Sequence, residues 1–215
     1  MIDYHRIGLR LHNPEFGLLS GREDPWIRNV FDICVYDDGC SSSIKIGTMQ
    51  VSKLSMSDVN RRGISLLMAF DDYSAETFEC YNVVFDEDGN MRKPFWHEYY
   101  GQEEYLANDF HFLERIEIDE QHKGHGIVAV ATQIYLENFA NGNDVAYFKA
   151  FPLQHELSCD NKSKPYKRAF KGSFKNNQTK LCKYYERLGF RRIDKTEHFF
   201  FVVDDFLSKR AMMGA

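Results

Sequence analysis

The chain has 215 residues, enough for one substantial core and short for two. Hydrophobic residues make up 43% and charged residues 27%, with a net charge of −5. That composition excludes a spanning segment, since no apolar run approaches the roughly 18–20 residues a membrane helix needs. The aromatic content is high, with 18 Phe and 12 Tyr, so material for a core or a ligand cleft is ample. Cys34, Cys40, Cys80, Cys159 and Cys182 are odd in number and form no CxxC pair, which points to free thiols in a reducing compartment. The N-terminus, MIDYHRIGLRLHN, lacks the basic-then-apolar pattern of a signal peptide, so a cytoplasmic location is expected.

In chain order, YHRIGLRLH and RNVFDICVYDD alternate in part and read as strands, and SIKIGTMQVSKL follows as a third after the turn-like DDGCSSS. Residues 61–86 have longer apolar spacing, with helix expected from about residue 74. DEDGN and RKPF are loop signals. DFHFLERIEI is a strand, followed by a glycine turn and a helix near 126–140 that NGND closes. VAYFKAF is a strand ended by Pro152, because proline cannot donate to a ladder. A basic loop leads to a helix near 177–188 stopped by Gly189, and FRRID and EHFFFVV read as a final strand pair. The expectation is a mixed α/β fold, one domain over 1–215 with a central sheet. Residues 154–180 hold seven Lys or Arg against Glu156 and Asp160, so the rest of the chain is more acidic than its net charge implies. An acidic body with one basic segment counts against nucleic acid as a partner. That segment reads either as a lid holding a small polyanion or as a solvated loop.

The stretch ERIEIDEQHKGHGIVAVA, residues 114–131, carries the most chemistry. A strand, a turn with two glycines and a helix N-terminus make an anion site: orphan amides point outward, the helix dipole is positive there, and glycine lets backbone approach phosphate. A plain tight connection is the alternative. Gly124-x-Gly126-x-x-Ala129 formally fits the dinucleotide pattern, but its acidic partner should end the next strand, whereas Asp144 precedes VAYFKAF. No Gly-Lys-Ser/Thr is present, which excludes a Walker A loop.

Gln121-His122-Lys123-Gly124-His125-Gly126 resembles the acetyl-CoA signature of the GNAT superfamily of N-acetyltransferases, Gln/Arg-x-x-Gly-x-Gly/Ala after a strand. Against a longer family form, Ile118 to Val128 align without a gap, with Glu120, Lys123 and Val128 in place of Pro, Arg and Gly. KYYERLGF, Lys183 to Phe190, is similar to the superfamily's C-terminal LYEKLGF. The resemblance covers residues 110–203 and implies a GNAT-like fold with a mostly antiparallel twisted sheet; residues 1–109 would form the substrate side. It implies that amides from about Lys123 through Ile127 to Val128 hold the pyrophosphate of acetyl-CoA. The pantetheine arm would run along the strand at Ile116 and Ile118, extending the sheet. Tyr185 takes the place of the tyrosine that protonates the leaving thiolate, and Gln178 stands where the family often has Asn. Tyr184 is expected to point elsewhere, since successive helical side chains diverge by about 100°.

Acetylating an amine needs a proton acceptor. Alternation in DFHFLERIEI puts Phe110, Phe112, Glu114, Ile116 and Ile118 on one face, and His111, Leu113, Arg115 and Glu117 on the other. Glu114, set in an apolar face, is the candidate base, the alternative being that it lines a solvated edge or pairs with a nearby cation; Glu117 is the second candidate, and ordered water the third. His122 and His125 have i, i+3 spacing but no third ligand nearby, so no metal is expected. Cys182 reads as a packed thiol. The expected activity is transfer of acetyl from acetyl-CoA directly to a primary amine of a small molecule or protein, by a monomer or homodimer and without a membrane partner. The alternatives are acetylation of aminoacyl-tRNA through the basic loop, and a non-catalytic CoA-binding module.

Overall fold

The computed structural model describes residues 6–12, 15–16, 25–37, 42–92, 109–153 and 172–212. Alternating apolar residues in the first part of the chain form β1 (Ile7–Leu11), β3 (Trp26–Tyr36) and β4 (Ser43–Leu54), with a two-residue β2 (Glu15–Phe16) on β3. Three short helices follow: α1 (Met56–Arg62), α2 (Leu66–Asp71) and α3 (Ala75–Val84). The second part holds β5 (Phe110–Ile118), α4 (Ile127–Phe139), β6 (Val145–Lys149), α5 (Phe174–Arg187), β7 (His198–Val202) and α6 (Val203–Met212). The sheet order is β1-β3-β4-β5-β6-β7. Only β5 and β6 are parallel; the other pairs are antiparallel. The chain is therefore mixed α/β, with an open, mostly antiparallel sheet.

Helices cover both faces. On one, Ile127, Tyr135 and Leu136 of α4, Cys182 of α5 and Phe206 of α6 pack on Phe31, Ile33, Met49, Val51, Leu113 and Phe148. On the other, Met56, Val59, Phe70, Cys80, Tyr81 and Val84 of α1–α3 pack on Trp26, Leu54, Phe110, Phe112, Tyr147 and Phe200. Beyond α1–α3 that second face turns polar. There Asp32, almost fully buried, receives Arg10 at 2.8 Å, His12 at 2.7 Å and Lys45 at 2.5 Å. Burial alone would raise the Asp32 carboxyl, but hydrogen bonds from these three side chains bring it far below the usual carboxylate range.

Three expectations need correction. α1 and α2 precede the helix expected from residue 74; their signal was local, in Ser55 and Ser65, whose side chains accept from the Asp58 and Met68 amides. FRRID is no strand: it makes a single bridge, Arg192 to Phe199, before Asp194 and Lys195 turn back with positive φ. The chain after Val202 forms α6, with Asp204 and Asp205 in its first turn and Lys209 and Arg210 in its last, as the helix dipole favours. The third correction concerns β5. Its register on β4 jumps from Val51–Leu113 to Gln50–Arg115, leaving Glu114 bulged. An extra residue exchanges the faces beyond it. Ile116 and Ile118 therefore join the α4–α6 core with Leu113, while Arg115 and Glu117 pair with Gln50 and Thr48.

Candidate functional site

The bulge is also where the sheet parts. β5 pairs with β6 only over Phe110–Val145, His111–Ala146 and Phe112–Tyr147. From Leu113 onward β5 stays with β4, and β6 stays with β7 out to Lys149 and His198. A bulge bends its strand and adds twist, which is the physical cause of the divergence. Between the strands lies a cleft of about 710 Å³, walled by residues 113–120 of β5 and its exit, Phe148 to Leu153, and one face of α5. The β5 edge facing it has no neighbouring strand among the described residues.

At one end of the cleft is the glycine turn. A 3₁₀ turn (Glu120–His122) leads to Lys123, Gly124 with φ +87° and Gly126 with φ +71°. A Cβ at either glycine would meet open space, so the constraint there is the left-handed backbone. Gly126 is the N-cap of α4 and supplies no side-chain acceptor, and the first turn holds no acidic residue. The first bond into α4 is Ala129 N–H to the Gly126 carbonyl at 3.0 Å, which leaves the Ile127 and Val128 amides ahead of the ladder. Serines cap α1, α2, α3 and α5, by contrast. Lys123, Gly124, Ile127 and Val128 line the cleft. His122 does too, almost fully buried, with Nε2 3.1 Å from the Gln121 amide nitrogen; Gln121 and His125 are exposed and lie outside the lining. One turn further, the Thr132 hydroxyl lines the same cleft, buried and without a hydrogen-bond partner.

α5 supplies the opposite wall through Asn177, Lys180, Leu181, Tyr184 and Tyr185, an i, i+3, i+4, i+7, i+8 face. Tyr185 packs edge-on to Phe148 at 4.8 Å and Phe190 at 5.8 Å. Burial pushes its phenol well above the ordinary value, and does the same, more mildly, to Tyr184. The expectation that Tyr184 points elsewhere does not hold: both rings line the cleft, with centroids 5.6 Å apart. The 100° step between them is smaller than the arc of helix the cleft exposes. Gln178 is not in the lining; Asn177, one residue earlier and nearly buried, takes that place. Cys182 is buried in the α4–α6 core with its thiol pushed up by burial, as a packed thiol should be.

Glu114 lines the cleft and is held from three sides. One oxygen accepts from the Ser52 hydroxyl and from Tyr73 Oη at 3.1 Å; the other lies 3.2 Å from Arg28 Nε. Burial pushes the Tyr73 phenol up to about 12, so it stays a donor. Arg28 also reaches the Gln50 amide oxygen at 3.0 Å. Glu117 is ion-paired with Arg115. Sequence reasoning singled out the carboxylates but missed Arg28, Ser52 and Tyr73, which come from three elements and carry no local signal. Of the basic segment, residues 154–171 lie outside the described residues. No protein-family model matches the chain, and no curated protein matches it significantly.

Among the described residues no helix is long and apolar enough to cross a membrane. Among the described residues Glu79, Glu197 and His198 bring one oxygen or nitrogen each within 4.8 Å of one another.

Proposed function

We propose that the chain is a GNAT-like, acetyl-CoA-dependent N-acetyltransferase that acts on a primary amine. The observation that carries this reading is the course of one cleft. It runs from an uncapped helix N-terminus preceded by two left-handed glycines, along an unpaired strand edge, to two tyrosines and a carboxylate. A long ligand with an anionic end, an amide-bearing middle and a reactive thioester fits those features in that order. Amides of Ile127 and Val128, with the dipole of α4 and Lys123, suit a pyrophosphate. The free edge of Leu113–Ile118 suits the amides of a pantetheine arm, as an added strand would. The unpartnered Thr132 hydroxyl gains a polar neighbour when the cleft is filled, which relieves a cost of about 1–3 kcal/mol.

At the reacting end Tyr185 is protonated at neutral pH, as a phenol is, and burial makes it a still weaker acid. A thiol of ordinary acidity, near about 8.5, is a stronger acid than such a phenol. Tyr185 therefore stabilises the departing sulfur chiefly as a hydrogen-bond donor. Glu114 takes the amine's proton, directly or through water, from the face that bears Ser52, Tyr73 and Arg28. The acceptor then approaches over that polar face, on the side of α1–α3.

A second reading, a non-catalytic CoA-binding module, is favoured by one observation: both Glu114 and Glu117 already have cationic partners. Calorimetry with acetyl-CoA followed by thiol release with a panel of amines separates the two. Binding with turnover supports the enzyme, binding without turnover on any amine supports the module, and no binding removes both.

A further inference from the structure

We propose that Lys149 is itself an acetyl acceptor, a self-acetylation site on the acceptor side of the cleft; this rests on the acetyl-CoA reading above. Neighbouring residues at the end of β6 face opposite ways. Phe148 packs its ring on Tyr185 at 4.8 Å, in the core beneath α4–α6. Lys149 lines the same cleft but projects to the other face, towards α3. A primary amine therefore stands one residue from the ring that supports the candidate acid, across the sheet from it.

The surroundings of that amine are proton acceptors. Lys149 Nζ donates to both oxygens of Glu79, at 2.7 Å each, and lies 4.0 Å from Glu197. His198, the cross-strand partner of Lys149, places Nε2 3.6 Å from Glu79. The other ring nitrogen of His198 is fixed by Tyr147 Oη at 2.5 Å. Burial lowers the basicity of this imidazole, so Glu79, in direct contact with Nζ, is the proton acceptor. Ligating atoms of Glu79, Glu197 and His198 lie within 4.8 Å of one another, and two of these groups, Glu79 and Glu197, face the Lys149 ammonium. An ammonium tied only to surface water lacks such an acceptor.

The chemistry balances without a further reactant. The ammonium gives one proton to Glu79, and the neutral nitrogen attacks the thioester carbon. The tetrahedral adduct loses a second proton, the C–S bond breaks, and an Nζ–C amide bond remains. One of the two protons ends on the CoA thiol and the other passes to solvent. The product amide carries no charge, so Glu79 and Glu197 lose their shared counter-ion.

The test uses the whole protein with acetyl-CoA, after calorimetry has shown binding. Peptide mass spectrometry should find one acetyl group on the Lys149 peptide, formed at a rate independent of protein concentration. Glu79→Gln should slow it at least about tenfold, in line with loss of a proton acceptor. Lys149→Arg, which keeps the charge and the fold, should abolish the label while retaining acetyl-CoA affinity. The labelled protein should melt at a lower temperature than the unlabelled one. Binding with Lys149 unmodified overturns this inference alone. Label spread over many lysines, and equal in heat-denatured protein, also overturns it. No binding removes the inference together with the cofactor reading.

Discussion

The two halves of β5 differ in one respect, and the cleft follows from it. Phe110 to Phe112 are paired on both edges, with β4 and β6, and their side chains are buried. Leu113 to Ile118 keep β4 alone, and most of these residues are only half-buried. The first half is sheet interior, holding Phe110 against Phe70 at 5.2 Å and His111 between Tyr135 and Asp144. The second half is an edge inside a protein, an arrangement that leaves backbone donors and acceptors for something other than a strand. The change falls at Glu114, the bulged residue. One inserted residue therefore ends the β6 pairing, brings Arg115 and Glu117 to the polar face and presents Glu114 to the cleft.

If that division is right, substitutions in the two halves should fail in different ways. Phe110→Ala should cost about 3–5 kcal/mol in urea unfolding, as large-to-small core changes do, with acetyl-CoA affinity of the folded protein unchanged. A loss of affinity on the scale of the stability change would break the comparison. Gly124→Asp should do the reverse. A carboxylate facing a pyrophosphate costs several kcal/mol, so affinity should fall at least about 100-fold in calorimetry, with the urea midpoint moved little by comparison. Glu114→Gln should lower kcat by about 10²-fold with KM for acetyl-CoA unchanged, and equal turnover would remove the base assignment. Tyr185→Phe should lower kcat by roughly tenfold across the pH range, because its role is to donate rather than to titrate. Tyr184→Phe, measured alongside it, tells whether the second ring in the cleft shares that role.

The smallest effect concerns pH. Burial keeps His198 below its ordinary value, near about 6.5 in the unfolded chain, so the unfolded state takes up the proton first as pH falls. Stability from neutral His198 is therefore complete above about 6.5 and declines as pH drops through that value. His198→Gln should show a smaller loss of urea midpoint on acidification than the parent, and an identical loss would show that other groups carry the titration. Asp32 works lower on the scale: its depressed carboxyl contributes stability above about 3.9 that is lost as pH falls further.

Much of this site was legible beforehand because its signals are local. Gly124 and Gly126 announce a strand-to-helix turn, since residues with a Cβ resist the left-handed backbone that turn needs. On α5, Tyr185 could be named because KYYERLGF resembles a family motif. Asn177 was missed by one residue, because helical phase decides which of two adjacent positions faces a wall and only packing sets the phase. The caps of α1 and α2, Ser55 and Ser65, are local signals too, but they open helices of only seven and six residues, too short to show a helical period.

Strand alternation is where local reading failed. In DFHFLERIEI it assigns Glu114 to the face of Ile116 and Ile118, and the bulge moves those isoleucines to the opposite face. A bulge is a property of two paired strands, so β5 alone cannot declare it. The same holds for the partners of Glu114. Arg28, Ser52 and Tyr73 come from β3, β4 and the segment before α3, brought together only when the sheet forms. By itself, then, the sequence determined the long strands, the helices after the glycine turn and before Gly189, and the turn itself, all set by backbone preference and spacing along one segment. Tertiary structure decided where the sheet opens, which face each β5 residue takes and which side chains hold the carboxylates, because those depend on register between segments far apart in the chain.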